Sequence, residues 1–473
     1  MRIVVVGGGI GGLAVALLLG PRGHDVTLVE RDPMHLPTGP EEAWARWRRR
    51  GVGQFRHIHL FNARGRNLLR DRAPRVLDDL RAAGAGELYL GGPDDHDLVR
   101  LTCRRTTYEW VLRRHALEAG GARVLGGTRV VGLVGDGRRV TGVRTAGGAE
   151  IAADLVVDAS GRRSPLAGWL ADLGAPGPGR ETQPDATVSF TRWYRLRAEA
   201  HARLVRADLG YTVAVVAPAD TGVFCVTFGC LAGHAAMGAL RHDAAFDAAV
   251  AAIPPIAAWT GRDRSTPMGP VLYTADRSNS LTRLGPVAGR PGPPAPAGVV
   301  ALGDSAMTTN PGYGRGVGLA LVHAAGLGDV LDEVADAGDA PGEVGRAFAQ
   351  VTRRELEPWY HAAVRSDRVR LAVGRRLLAG EPWAAVGGPG DDPAVRFARG
   401  VAHAVQRDPV VARASHRAFQ LLDPPSSFAG DPEIEARVEA VWRTLDRSPP
   451  PAPGPDHGAM AALLEAAVRA APT

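Results

Sequence analysis

Residues 299–321 read VVALGDSAMTTNPGYGRGVGLAL. Val299 to Leu302 is a short apolar run of the kind that forms a buried parallel strand. Gly303 and Asp304 follow it directly, so an acidic side chain stands at the strand's carboxyl end. Pro311 and Gly312 then mark a turn, and Gly314 and Gly316 punctuate the start of a helix. The segment gains weight from a second one at the start of the chain.

Residues 1–20 read MRIVVVGGGIGGLAVALLLG. Ile3 to Val6 reads as a buried strand and Leu13 to Leu19 as the helix after it, ended by Pro21 and Gly23. Gly7, Gly9 and Gly12 fit the G-x-G-x-x-G fingerprint, with Ile10 and Gly11 inside it. The first glycine allows the tight turn, the second lets backbone approach a diphosphate, and the third lets helix and strand pack closely. The helix N-terminus then offers unpaired N–H groups and a positive dipole end. Asp25 to Val29 forms the second strand, and Glu30 closes it, followed by Arg31. A carboxylate there accepts hydrogen bonds from the ribose of an adenosine. This unit alone permits NAD or FAD. Together the two segments point to one long cofactor held at both ends.

The later segment resembles the flavoprotein monooxygenases of the p-hydroxybenzoate hydroxylase fold. In that family a Gly-Asp pair after a strand binds the ribityl chain, and a Pro-x-x-Gly-x-Gly turn aims a helix N-terminus at the flavin's pyrimidine end. The resemblance assigns these roles to Gly303, Asp304, Pro311, Gly312, Gly314, Arg315 and Gly316. A third family element, an Asp-Gly motif, is altered here to DASGRRS from Asp158. Ser160 replaces the usual Asp, Gly161 and Ser164 match, and the closing arginine is missing. This variant resembles the branch that holds geranylgeranyl reductases, flavin halogenases and polyether-type epoxidases. Arg105 matches an arginine that touches FAD in this branch. Residues 51–61, GVGQFRHIHLF, resemble an epoxidase-type segment with Gly53 in place of proline. They make Arg56, His57 and His59 the candidates nearest the flavin, although no catalytic acid or base is identified.

The resemblance implies an α/β fold: a Rossmann-like FAD-binding domain of the GR2 type, an inserted antiparallel β-sheet substrate domain and a helical C-terminal region. The expected division is 1–85, 100–170 and 275–340 for the FAD-binding domain, 86–99 and 171–274 for the β-rich substrate domain, and 341–473 for the helical region. It implies bound FAD, transient NADPH or NADH, and insertion of one oxygen atom from O2 into a hydrophobic small molecule, aromatic or polyketide-like. A double-bond reductase of the geranylgeranyl reductase type is the alternative on the same frame. A non-catalytic relative, like the GDP-dissociation inhibitors, predicts degraded flavin motifs, whereas Gly303-Asp304 and the Pro311 turn are intact here. Flavin halogenases need a lysine and a W-x-W-x-I-P segment. This chain has neither: all 56 of its basic residues are arginine. The missing lysine also excludes Schiff-base chemistry.

The net charge of +6 is spread over scattered arginines, so nucleic acid is not an expected partner. The one dense run, Arg46, Arg48, Arg49 and Arg50, reads as a solvated loop or, alternatively, a docking patch for NAD(P)H phosphates. Cys103, Cys225 and Cys230 make neither a metal spacing nor a disulfide framework and fit a reducing cytoplasm. His57 and His59 lack a third ligand nearby, so no metal is expected. No stretch reads as membrane-spanning. Residues 102–119 read as a helix with a Thr106–Glu109 capping box, ended by Gly120 and Gly121. Residues 187–230 read as strands whose Phe190, Trp193, Tyr194, Tyr211, Phe224 and Phe228 serve as core or as the lining of an apolar pocket. Two proline-rich stretches, 285–298 and 448–455, read as connections, the second preceding a last helix near Met460 to Arg469.

Overall fold

The computed structural model describes residues 1–471 apart from 93–94, 119–120, 186, 198–201, 276, 286–293, 336–339, 382–384, 389 and 445–452. Five parallel strands lie side by side in the order Val299–Ala301, Leu155–Asp158, Arg2–Val6, Asp25–Val29 and Ala122–Leu125. The central ones are continuous apolar runs because both faces are covered. Ile3, Val5, Leu28, Leu155 and Val157 point to one face, where they meet side chains of the helices Ile10–Leu19, Arg105–Glu118 and Gly316–Glu333. Val4, Val6, Val29 and Val156 point to the other, against a three-stranded antiparallel sheet of Val130–Gly135, Val140–Thr145 and Glu150–Ala152. Each fully buried aliphatic side chain contributes about 1.5–3 kcal/mol. This is the expected Rossmann-like core. Its strand order brings the chain segments after Val6, Asp158 and Ala301 to neighbouring places on the carboxyl edge, where open parallel sheets bind ligands.

A six-stranded antiparallel sheet forms the second layer, in the order Val205–Asp208, Thr212–Pro218, Val223–Leu231, Thr187–Leu196 and Ser265–Pro267, with Leu272–Thr274 also paired to Thr187–Leu196. Five of the six aromatic residues considered for a pocket are plain core. Phe190, Tyr194, Tyr211, Phe224 and Phe228 pack with Phe246, Ile256, Met460 and Leu464 of the helices behind the sheet. Alternation sends Trp193 to the opposite face, with Cys225, Trp44 and Ile58. The last helix runs His457–Ala470, and the Asp456 side chain caps it by accepting the Ala459 N–H at 2.8 Å.

Two expectations for the helix after Cys103 change, its start and its capping box. It spans Arg105–Glu118, and Gly120 of its expected stop lies outside the described residues. Thr106 and Glu109 are inside it and fully buried, so they form no capping box. Glu109 is instead an internal counter-ion, as shown below. Both proline-rich connections fall largely outside the described residues.

The C-terminal part is helical. Ala340–Glu355 and Glu357–Leu378 pack back on the cofactor-side elements. Pro393–Ala404, Pro409–Phe419 and Pro432–Thr444 share a small core of Ala404, Val411, Ile434 and Val438. Among the described residues no helix is long and apolar enough to cross a membrane, and no cluster of three metal-ligating side chains occurs.

Candidate functional site

The site starts at the turn after the first strand. Gly7 has φ +109°, and a Cβ there would stand 2.5 Å from the Ala159 carbonyl oxygen, so only glycine fits. Gly11 lies against the side chain of Leu302, at 3.1 Å from where its own Cβ would be. These two contacts bring the N-terminal turn against the Asp158 segment and the Gly303 segment. The helix Ile10–Leu19 has Gly9 at its N-cap and no side-chain cap, which leaves its first amides open to an anion. Glu30 is buried at the end of its strand; its Oε2 accepts the Gly8 N–H at 2.7 Å and its Oε1 the Asp32 N–H at 2.8 Å. Arg31 is exposed and lies against Gly51.

Asp304 follows the strand Val299–Ala301 in a single turn of 3-10 helix. The Gly303 N–H donates to His323 Nδ1 at 3.2 Å, and His323 Nε2 bonds Thr352 Oγ1 at 3.0 Å. Burial pushes the His323 imidazole down to about 3, so it is neutral and keeps the lone pair that this amide requires. The Asp304 carboxylate accepts no hydrogen bond from any described residue. Burial pushes its pKa up, while the charges of Arg162 and Arg105 act against that. The side chain is half-buried, and hydroxyl groups of a bound chain would supply the missing donors. Beside it, the Gly161 N–H donates to Ser305 Oγ at 2.8 Å. Ser160, the residue in place of the usual Asp, turns its hydroxyl back to Asp158 at 2.5 Å. Asn310 caps the turn Pro311–Tyr313 by accepting the Gly312 N–H, and Gly314 ends it. The helix Gly316–Glu333 then begins with no side-chain cap, giving the site a second open helix N-terminus. Two open helix starts and an unpartnered, half-buried carboxylate fit a diphosphate-bearing flavin.

Sequence reasoning missed a chain of buried charge along this edge. Arg49 is neither part of a solvated loop nor free for NAD(P)H; its side chain is 3% exposed. It donates to Glu30 and to Asp32, each at 3.0 Å, and to Glu109. Burial opposes ionisation of Glu109, but the charges of Arg49, Arg105 and Arg113 outweigh it and hold the carboxyl low. Arg105 continues the chain, with Nε on Glu109 at 3.1 Å and Nη1 on His59 Nε2 at 3.0 Å. The flanking Arg46, Arg48 and Arg50 are exposed, Arg46 as the last residue of the helix Pro40–Arg46 and the other two in the loop after it. Nothing in the spacing separates Arg49 from them, because its carboxylate partners are remote in sequence.

His59 and Arg56, both candidates for catalysis, are committed elsewhere. His59 Nε2 accepts from Arg105 and Nδ1 faces the His57 carbonyl at 3.0 Å. Burial and the Arg105 charge push the His59 imidazole down to about 3, so it is no proton donor at neutral pH. Arg56 points away, to the carbonyls of Trp44, Ala45 and Trp47 at the C-terminus of the helix Pro40–Arg46. His57 is buried beside it in the same loop.

Comparison with known proteins fits this geometry. The family model for NAD(P)-binding Rossmann-like domains matches residues 5–34, and that for tryptophan halogenases matches residues 102–171. The second span holds Arg105 and the Asp158–Ser164 turn. The chain is 30% identical to the 6-methylpretetramide 4-monooxygenase of Streptomyces rimosus, over 81% of this chain and 88% of that protein. It is 27% identical to protein Rv3254 of Mycobacterium tuberculosis, over 89% of each. Among solved structures, PqsL of Pseudomonas aeruginosa, a probable FAD-dependent monooxygenase, shares the fold with a TM-score of 0.57 at 19% identity, covering 80% of this chain and 99% of that one. The chain belongs to the FAD-dependent monooxygenases, a family of oxidoreductases.

Proposed function

We propose that this protein inserts one oxygen atom from O2 into a hydrophobic small molecule, aromatic or polyketide-like, with NADPH or NADH as reductant. The observation that carries the reading is the Asp304 carboxylate, half-buried and without a donor among the described residues, beside the open start of the helix Gly316–Glu333. In this reading Gly7 makes the turn, its own amide donating to the Val29 carbonyl at 2.8 Å, and the amides of Gly9, Ile10, Gly11 and Gly12 hold the diphosphate. Glu30 takes the adenosine ribose, with Arg31 at the outer edge. Asp304, following Gly303, accepts the ribityl hydroxyls. Pro311, Gly312, Gly314, Arg315 and Gly316 face the pyrimidine end, and Gly161 and Arg105 border the ring.

Bound FAD supplies activation of O2, and the protein supplies binding, orientation and exclusion of water. His59, neutral and doubly hydrogen-bonded, holds Arg105 rather than moving a proton. Trp193, Cys225, Val223 and Ala217 form an apolar patch on that sheet face against the loop of Ile58, and in this reading they wall a hydrophobic substrate. The relative that acts on 6-methylpretetramide supports a small-molecule substrate. The division into a discontinuous FAD-binding domain, a β-rich substrate domain and a helical C-terminal region belongs to the same proposal, as does a cytoplasmic location.

The test is NAD(P)H consumption by FAD-loaded protein, screened for stimulation by candidate metabolites, with mass spectrometry of the products. A gain of one oxygen supports the reading. Product formation under strict anaerobiosis with reduced flavin would favour a double-bond reductase.

A further inference from the structure

The helix Glu357–Leu378 lies in the C-terminal region, for which the sequence offers no role. It carries one buried carboxylate, Asp367, that faces the proposed flavin turn. Asp367 Oδ1 accepts from Asn310 Nδ2 at 2.8 Å and from the Tyr313 hydroxyl at 2.7 Å. Its Oδ2 accepts from Asn279 Nδ2 at 2.7 Å. The circuit closes on itself: Asn279 Oδ1 accepts the Asn310 N–H at 2.7 Å, and Asn310 Oδ1 accepts the Gly312 N–H at 2.9 Å. Asn279 and Asn310 are both fully buried, so these amides have no water to fall back on. The same helix grips the turn a second time. Arg315 stacks between Tyr313 and Trp359, with its guanidinium carbon 4.6 and 4.9 Å from the two ring centres.

We infer that Asp367 is a positioning residue for the cofactor turn, fixing where the helix Gly316–Glu333 begins and so how closely its positive end meets the bound flavin. The inference rests on the FAD reading above. A carboxylate suits the task because three donors converge on it and it has only acceptors to offer. Asparagine is nearly isosteric but must turn an NH2 toward one of those donors, so Asp367→Asn keeps the shape and breaks the circuit. The helix end stabilises negative charge on reduced flavin. Displacing it lowers the reduction potential and loosens the cofactor.

The experiment compares wild type, Asp367→Asn and Tyr313→Phe by flavin titration, by the midpoint potential of the bound flavin, and by thermal melting of the FAD-free proteins. Both variants are expected to bind FAD more weakly, Asp367→Asn by about tenfold, and to show a more negative potential than wild type. Potentials equal to wild type would overturn the inference even if melting drops, because a purely structural role moves only the melt. If Asp367→Asn does not fold, Tyr313→Phe decides, since it removes one donor and leaves the carboxylate. Wild type that binds no FAD would instead remove the underlying reading.

Discussion

Arg49 and Glu30 meet at 3.0 Å with both side chains almost completely buried. The acid that would hold the adenosine ribose therefore already has a resident cation. That cation also carries Asp32 and Glu109, so three carboxylates depend on it. Removing one partner of a buried pair leaves an uncompensated charge, which typically costs 3–5 kcal/mol. Arg49→Gln is expected to destabilise the FAD-free protein by about that much in urea unfolding. A loss below about 1 kcal/mol, the range of exposed ion pairs, would mean that the carboxylates find other partners.

The buried, neutral His323 makes stability depend on pH. Its folded value is about 3, against about 6.5 for an unfolded histidine. Between those values the unfolded chain takes up a proton that the folded chain refuses, so stability rises with pH. The contribution is complete above the unfolded value and is lost as pH falls toward 3. His323→Gln is expected to flatten the dependence of unfolding free energy on pH between about 6 and 4 by roughly one proton. An unchanged slope in the variant would show that His323 is protonated in the fold.

Buried aromatic residues on opposite faces of paired strands should differ in their effect on substrate handling. Phe224 is fully buried and packs against Tyr194 and Trp259 behind the sheet. Phe224→Ala is expected to cost about 3–5 kcal/mol. Trp193 faces the other way, with its indole N–H on the Arg56 carbonyl at 2.7 Å. Trp193→Ala is expected to raise KM for the hydrophobic substrate or alter the site of oxygenation while FAD affinity holds. Equal substrate kinetics for Trp193→Ala and wild type would count against that face as the substrate wall.

Much of the fold was legible because it rests on local patterns. The β-branched run Ile3–Val6, the glycine spacing and Glu30 reveal the first unit, and Val299–Asp304 reveals the strand end beside it. The strands 188–196, 211–216 and 223–230 were readable from aromatic and β-branched content, but which face of each meets the flavin-side loop was not. That depends on what packs behind the sheet, including the remote helix His457–Ala470. Glu109 was misread because a Thr-x-x-Glu spacing looks the same at a helix start and inside a buried helix. Arg49 and Asp367 were invisible for a related reason: each acquires meaning only from partners that tertiary folding delivers, Glu30 and Glu109 for one, Asn279 and Asn310 for the other.

Two separate motifs holding opposite halves of one FAD can be checked by titrating FAD and its adenosine-diphosphate half separately into wild type and Asp304→Ala. FAD affinity is expected to fall roughly 10- to 100-fold, the worth of hydrogen bonds to a charged group, while ADP affinity stays at the wild-type value. An equal loss for ADP and FAD, or no loss for either, would contradict a ribityl acceptor at Asp304.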